Sequence, residues 1–414
     1  MSTREPPGSL VPFGALGFAY FASIGMFSAY APLWFQWLGY STLAIGTIAS
    51  MQAWTRVVVP YGWSWLGDHW QHGARRVELI RTACAVIVLA SLGLLMLHDM
   101  VSVVTIVLLI YVTNSGVMPL CETAIAQRLT TPRGLDVGRY GRVRVWGSIG
   151  FVLAVGLGGS LLQMTGIDAL PAFLVGLFAL LAVTAWRLPR DATAPADGHA
   201  AVGVGIWHTL RQPPVAWFFA GVFFIVLAHT SLNAFLSLYL DSAGYSKRAV
   251  GALWAVPVAV EIAFFWTQGH WFARWSAHTW MLVAAATTVL RFAAMAALGS
   301  SWPLLVATQS LHAVTFAAQH AASISIVNHH FPGALRGRGQ ALYSTLGWGL
   351  SGALGGVAGG AISQRWGFEA MFAGAALAGL AATLCCRRSR ALQAGNEVSP
   401  APHEEHSPGH SSFG

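Results

Sequence analysis

The chain has 414 residues, 55% of them hydrophobic and only 9% charged, with a formal net charge of +8. A water-soluble protein carries about 25% charged residues, so the composition excludes an ordinary soluble domain. The positive charge does not mark a nucleic-acid partner either, because the basic residues are spread through short polar segments between long apolar ones.

In chain order, apolar stretches fall at 12–37, 43–66, 78–98, 101–126, 145–165, 168–187, 214–240, 247–270, 279–299, 302–327, 339–363 and 367–386. Each is long enough to cross a hydrocarbon core of roughly 30 Å. Lipid satisfies no backbone hydrogen bond, so the pattern predicts an all-α membrane protein with twelve transmembrane helices. Residues 1–11 read as a tail, 12–187 as a six-helix bundle and 188–213 as a polar Ala/Gly/Pro-rich loop. Residues 214–386 read as a second six-helix bundle, and the His/Ser-rich segment 387–414 as a disordered tail. Of the 23 Lys and Arg, 18 lie in the tails or even-numbered loops, and only Lys247, Arg248 and Arg365 lie in odd-numbered ones. The positive-inside rule then places both termini and the central loop in the cytoplasm. The first helix is read as retained, since no A-x-A-like cleavage site follows a short apolar core. A compact chain of this kind fits a bacterial inner membrane, as a monomer. Cys84, Cys121, Cys385 and Cys386 lack metal-ligand spacing, and neither metal nor cofactor is expected.

Ionisable groups at membrane depth are costly unless paired or facing water, and mark functional sites. Helix 2 carries Arg56 with Gln52 one turn away. Helix 4 carries Asn114 and Glu122, and helix 7 spaces His229, Asn233 and Ser237 at four. On helix 8, Glu261 shares a stripe with Trp254, Val258 and Phe265. Helix 9 holds Arg291, and on helix 10 His312, Thr315 and Gln319 follow i, i+3, i+7, with His320 beside them. Such spacing keeps each set on one helical face, so the faces are expected to enclose a wet cavity.

The halves resemble each other. LGYSTLAIG (38–46) returns as AGYSKRAVG (243–251), and GGSLLQMTG (158–166) returns as GGAISQRWG (359–367), at offsets of 205 and 201. Parallel six-helix repeats of this kind hold substrate near the bilayer midplane between the halves. The same offset sets Arg56 against Glu261, opposite charges at corresponding positions of helices 2 and 8, expected on the inter-domain face and able to pair. Arg291 offers Glu261 a second potential partner.

SWLGDHWQHGARR (64–76) resembles the signature loop of the major facilitator superfamily, G-x-x-x-D-[RK]-x-G-[RK]-[RK], through Asp68, Arg75 and Arg76. Ser64 replaces its leading Gly, and two residues are inserted before Gly73. TRVVVPYGWSWLGD (55–68), GRYGRVRVWGSIGF (138–151) and LHAVTFAAQHAA (311–322) resemble the branch of 3-phenylpropionate transporters and, more distantly, lactose permease. The resemblance implies two parallel six-helix repeats, alternating access and proton symport. It implies a conformational latch at Asp68, Arg75 and Arg76, and substrate contacts at Glu122 and Arg144. It also implies a coupling set of Glu261, Arg291 and His312. Helix 10 departs from the permease pattern: His312-Ala-Val-Thr315 replaces His-x-x-Glu, which leaves Glu261 as the proton carrier.

These readings predict a symporter importing a small organic solute with a proton. A phenylpropionate-like acid would meet Arg56 or Arg144 with its carboxylate, and Trp54, Trp254 or Phe265 with its ring. Gln52, Asn114, Asn233, Thr315 and Gln319 complete the expected polar lining. A sugar or nucleoside symporter, or a proton-driven exporter, is the alternative. A non-transporting sensor is remoter, because the longest polar segments, 26 and 24 residues, are too short for a signalling domain. No Ser/His/Asp set or phosphate loop points to an enzyme.

Overall fold

The computed structural model describes residues 10–69, 74–131, 134–189, 206–270 and 272–398. Six helices build the first half: α1 (Val11–Trp37), α2 (Thr42–His69), α3 (Ala74–Gly93), α4 (Met100–Leu129), α5 (Val137–Thr165) and α6 (Leu170–Trp186). After a short helical turn at Ile206–Leu210 come α7 (Pro213–Ser242), α8 (Lys247–Thr267) and α9 (Ala277–Ala297). The last three are α10 (302–330), α11 (336–366) and α12 (368–398). Gly367, with φ 86° and ψ 174°, breaks the helical run between α11 and α12. This left-handed region suits glycine because it has no Cβ. The sole strand pairing among the described residues is a two-residue ladder between α4 and α5, Thr130 with Leu135 and Thr131 with Gly134.

Helix starts follow local chemistry. Asp136 accepts from the Arg139 N–H at 3.0 Å, Ser246 from Ala249 at 3.3 Å and Ser276 from Thr279 at 3.2 Å, each satisfying an amide that a helix leaves open. Asp99 does the same before α4, accepting from Ser102 at 2.9 Å, and that bond holds its carboxyl below the usual carboxylate range. The Asp136 cap starts α5 eight residues before the apolar stretch at 145–165, so the basic segment 137–144 is helical.

Both α10 and α11 carry π-turns, at Ala313–Ala318 and Tyr343–Leu350. Phe316 of the first meets Trp348 of the second edge-on, with centroids 5.5 Å apart. Such turns recur at functional sites, where one extra residue re-aims side chains.

The halves meet along two seams, α2 against α11 and α5 against α8. At the end bearing the odd-numbered loops both seams close to backbone contact. A Cβ on Gly46 would lie 2.1 Å from the Gly356 carbonyl oxygen, and one on Gly251 would lie 2.2 Å from that of Val155. Gly159 and Gly360 approach Lys247 and Thr42 in the same way. Hydrogen bonds bind this end: Leu43 N–H to Gln364 at 3.3 Å, Lys247 N–H to Gln163 at 2.9 Å, and Ser50 hydroxyl to Ala353 carbonyl at 2.6 Å. Ser237 adds a bond from α7 to the Ala29 carbonyl of α1, at 2.5 Å. Gly46, Gly159, Gly251, Gly360 and both glutamines belong to the segments repeated between the halves.

Candidate substrate and coupling site

Below the sealed end, three hollows share Gln52 in their walls, one within the first half and two between the halves. One of about 210 Å³ is lined by Tyr20, Gln52, Thr55, Arg56, Tyr111 and Asn114. A second, of about 120 Å³, continues from Gln52 and Arg56 to Thr230, Asn233 and Trp348 of the second half. Gln52 and Asn233 also line a third hollow leading toward Phe27 and Phe35. The expected residues Gln52, Arg56, Asn114 and Asn233 thus share one polar space. Arg56 has no carboxylate partner among the described residues.

Beside this space two acid–base pairs form. Glu122 of α4 lies 3.9 Å from the Arg144 guanidinium of α5, and both side chains are open to solvent by 40% and 47%. Arg144 also sits over the Phe21 ring at 4.7 Å. In the second half, Glu261 Oε2 of α8 lies 3.8 Å from His312 Nε2 of α10. The first separation allows charge–charge attraction, and both exceed a hydrogen bond. Because α5 packs on α8, the field of Arg144 reaches Glu261. Tyr20 lies within the fields of Arg56, Glu122 and Arg144 together. The polar groups therefore run from the first half to the second as Glu122, Arg144, Glu261 and His312.

Around His312 the second half is dense with aromatic rings. Its imidazole stacks on Phe316 with centroids 4.7 Å apart and planes 13° apart. Phe316 stacks in turn on His320, at 6.4 Å and 12°. His320 Nδ1 lies 3.0 Å from the Tyr343 hydroxyl. His229 Nδ1 is 2.8 Å from the Ile225 carbonyl, so it donates there, and its ring meets Phe292 edge-on.

Several expected contacts fall elsewhere. Arg56 and Glu261 do not pair: α2 packs along α11 whereas α8 packs along α5, so the equivalent positions face different seams. Arg291 does not pair with Glu261 either. It is fully buried and donates to Thr315 Oγ1 at 3.1 Å and Gln309 Oε1 at 3.0 Å, both on α10. Thr315 is thereby turned into the core of the second half. Gln319 is buried too, and donates to Ser323 at 2.9 Å. Trp254 donates to Ser237 at 2.9 Å and belongs to the sealed end. Trp54 is 48% exposed and sits about 200° round the helix from Arg56, off the cavity wall. Phe265 is likewise exposed, edge-on to Phe264. Asp68 ends α2, and Arg75 and Arg76 open α3, but the side chains of Asp68 and Arg75 lie outside the described residues, so the latch does too. Tyr20, Tyr111, Thr230 and Trp348 line the cavity without having been singled out from sequence. Their only sequence signal is a hydroxyl or indole within an apolar run, which hydropathy counts as membrane-like.

Set against known proteins, residues 13–373 match the sequence model described as the MFS_1 like family. The chain is 27% identical over 340 residues to the "Probable 3-phenylpropionic acid transporter" of Escherichia coli (strain K12), covering 81% of this chain and 87% of that one. It is 26% identical over 275 residues to "Maltose permease" of Geobacillus stearothermophilus, covering 65% and 66%. Among solved structures, the nucleoside transporter NupG superposes with a TM-score of 0.77 at 17% identity, over 94% of this chain and 99% of that one. A bacterial homologue of the human lysosomal transporter Spinster, inward-facing and unoccupied, superposes with a TM-score of 0.69 at 15% identity, over 95% and 98%.

Proposed function

Because the chain belongs to the MFS_1 like family of the major facilitator superfamily, and so is a multi-pass membrane transporter of small molecules rather than an enzyme, we propose that it imports an organic acid together with a proton. The observation that carries this reading is the line of Glu122, Arg144, Glu261 and His312 across the two halves. Glu261 is the proton carrier: an acid that meets Arg144 in one conformation and leaves it in another gains and loses a proton as the halves rock. His312 holds or relays that proton.

An aromatic acid of the phenylpropionate class suits the cavity. Among the described residues Arg56 has no carboxylate partner, and Tyr20 and Tyr111 line the same hollow, so a substrate carboxylate can take the guanidinium while its ring packs on the tyrosines. The relative named for 3-phenylpropionic acid agrees with this class. The Glu122–Arg144 pair favours a second reading, a neutral sugar or nucleoside, since a paired acid and base hydrogen-bond hydroxyls well. Both termini lie in the cytoplasm of a bacterial cell, the protein is a monomer in the inner membrane, and the sealed end faces outward.

Uptake into proteoliposomes under an inside-alkaline gradient, across aromatic acids, sugars and nucleosides, tests the proposal. Gradient-driven accumulation of an aromatic acid is expected. Accumulation of sugars or nucleosides alone would select the second reading, and no gradient-dependent uptake of any class would overturn symport.

A further inference from the structure

A hollow of about 650 Å³ lies away from the central cavity, where the even-loop ends of α1, α5 and α6 meet. Arg139 and Arg142 come from the first turns of α5 and Arg187 from the end of α6, and no acidic residue joins them in the lining. None of the three has an ion pair among the described residues. The floor is apolar: Phe18 of α1, Trp146 of α5 and Leu180 of α6.

This hollow opens toward lipid. Trp146, 50% exposed, heads a stripe that continues along α5 through Leu153, Leu157 and Leu161, exposed by 44%, 60% and 44%. Arg144, Phe151 and Gly159 lie on the opposite face of the same helix, toward α8. The groove therefore combines three guanidiniums without an ion pair among the described residues, at the level of the headgroups, with an interfacial tryptophan and an apolar track running into the bilayer. Guanidinium forks grip phosphate oxygens in pairs, tryptophan sits at the membrane interface, and the cytoplasmic leaflet is negatively charged.

We propose that this groove is a binding site for one anionic phospholipid, with its phosphate held by Arg139, Arg142 and Arg187 and an acyl chain lying along Trp146, Leu180 and the α5 stripe. A phosphatidylcholine of the same chain length binds less well, because its choline cation meets three arginines.

Native mass spectrometry of the full-length protein, with phosphatidylglycerol or phosphatidylcholine of identical acyl chains, tests the site. The native chain should retain phosphatidylglycerol preferentially. Replacing all three arginines with Gln should lower its occupancy at least fivefold, whereas replacing all three with Lys should keep most of it. Ala15→Trp fills the groove while leaving the arginines in place, and should lower retention of both lipids. Unchanged phosphatidylglycerol occupancy in the Gln variant or in Ala15→Trp overturns the proposal. So does displacement of the lipid by millimolar inorganic phosphate or 3-phenylpropionate, which would make the arginines a site for soluble anions.

Discussion

Gln163 and Gln364 make the same bond in opposite halves. Gln163 of α5 accepts from the Lys247 N–H that opens α8, and Gln364 of α11 accepts from the Leu43 N–H in the first turn of α2, at 2.9 and 3.3 Å. Each side chain supplies a partner that the other helix lacks at its start, so each bond exists only while the halves are together. A bond of this kind contributes about 0.5–1.5 kcal/mol. Replacing both glutamines with Ala should therefore shift the molecule toward opening at this end by roughly tenfold. The readout is alkylation by an impermeant maleimide of a cysteine placed at Asn233, in a chain lacking its four native thiols. An unaltered alkylation rate would remove the glutamines from the seal.

The glycines of the same seams set a sharper constraint. Gly46→Leu and Gly251→Leu put a side chain where a backbone oxygen of the other half now sits. Forcing atoms into packed contact costs about 1–3 kcal/mol, enough to lower transport by roughly ten- to a hundredfold. The cavity cysteine should at the same time react freely from the sealed side. Gly156→Leu is the control, since nothing lies within 4 Å of a Cβ there. Equal transport by Gly251→Leu and Gly156→Leu would show that the seam does not close to this distance in the working cycle.

Arg144 lies 3.9 Å from Glu122 and its field reaches Glu261 in the other half, and its fork matters as well as its charge. Arg144→Lys loses the planar group over Phe21 and the reach toward Glu122. A charge-assisted hydrogen bond from a guanidinium to substrate contributes about 1.5–3 kcal/mol, so if Arg144 grips the substrate, its apparent affinity should fall by at least about tenfold in both accumulation and exchange. Affinity within twofold of the native chain would take Arg144 out of the binding site.

Separating coupling from binding requires Glu261. With Glu261→Gln, accumulation driven by a proton gradient should vanish while exchange of substrate across the membrane continues, and the pH dependence of exchange should flatten. His312→Gln should slow accumulation more than exchange. Intact accumulation by Glu261→Gln would place the proton elsewhere.

Much of the fold is legible in the sequence because lipid demands long apolar helices, although α2 and α3 are less plainly apolar than the other helices of the first half. The repeated segments around Gly46 and Gly251 are legible too, and they are the parts in tightest contact. The start of α5 is not, because Arg139, Arg142 and Arg144 lower the hydropathy of a segment that Asp136 nonetheless starts as helix. The partners of Glu261 are hidden for a different reason. Alignment of the repeats finds Arg56 as its counterpart, but a two-fold relation sends equivalent residues to opposite seams, so the cation that reaches Glu261 comes from a non-equivalent helix. Thr315 and Gln319 follow the correct spacing for a cavity face, yet buried Arg291 takes the first and Ser323 the second.

A carrier driven by an ion gradient is wasteful if ions can cross without cargo. The Phe316 ring, stacked between His312 and His320, bears on that hazard. Imidazoles can pass a proton along a hydrogen bond, but a phenyl ring has neither lone pair nor N–H to receive one. Phe316 thus sets a ring that cannot carry a proton between His312 and the His320–Tyr343 pair. If Glu261 carries the proton, as proposed, that ring denies it a hydrogen-bonded route along α10, and its release waits for the halves to move.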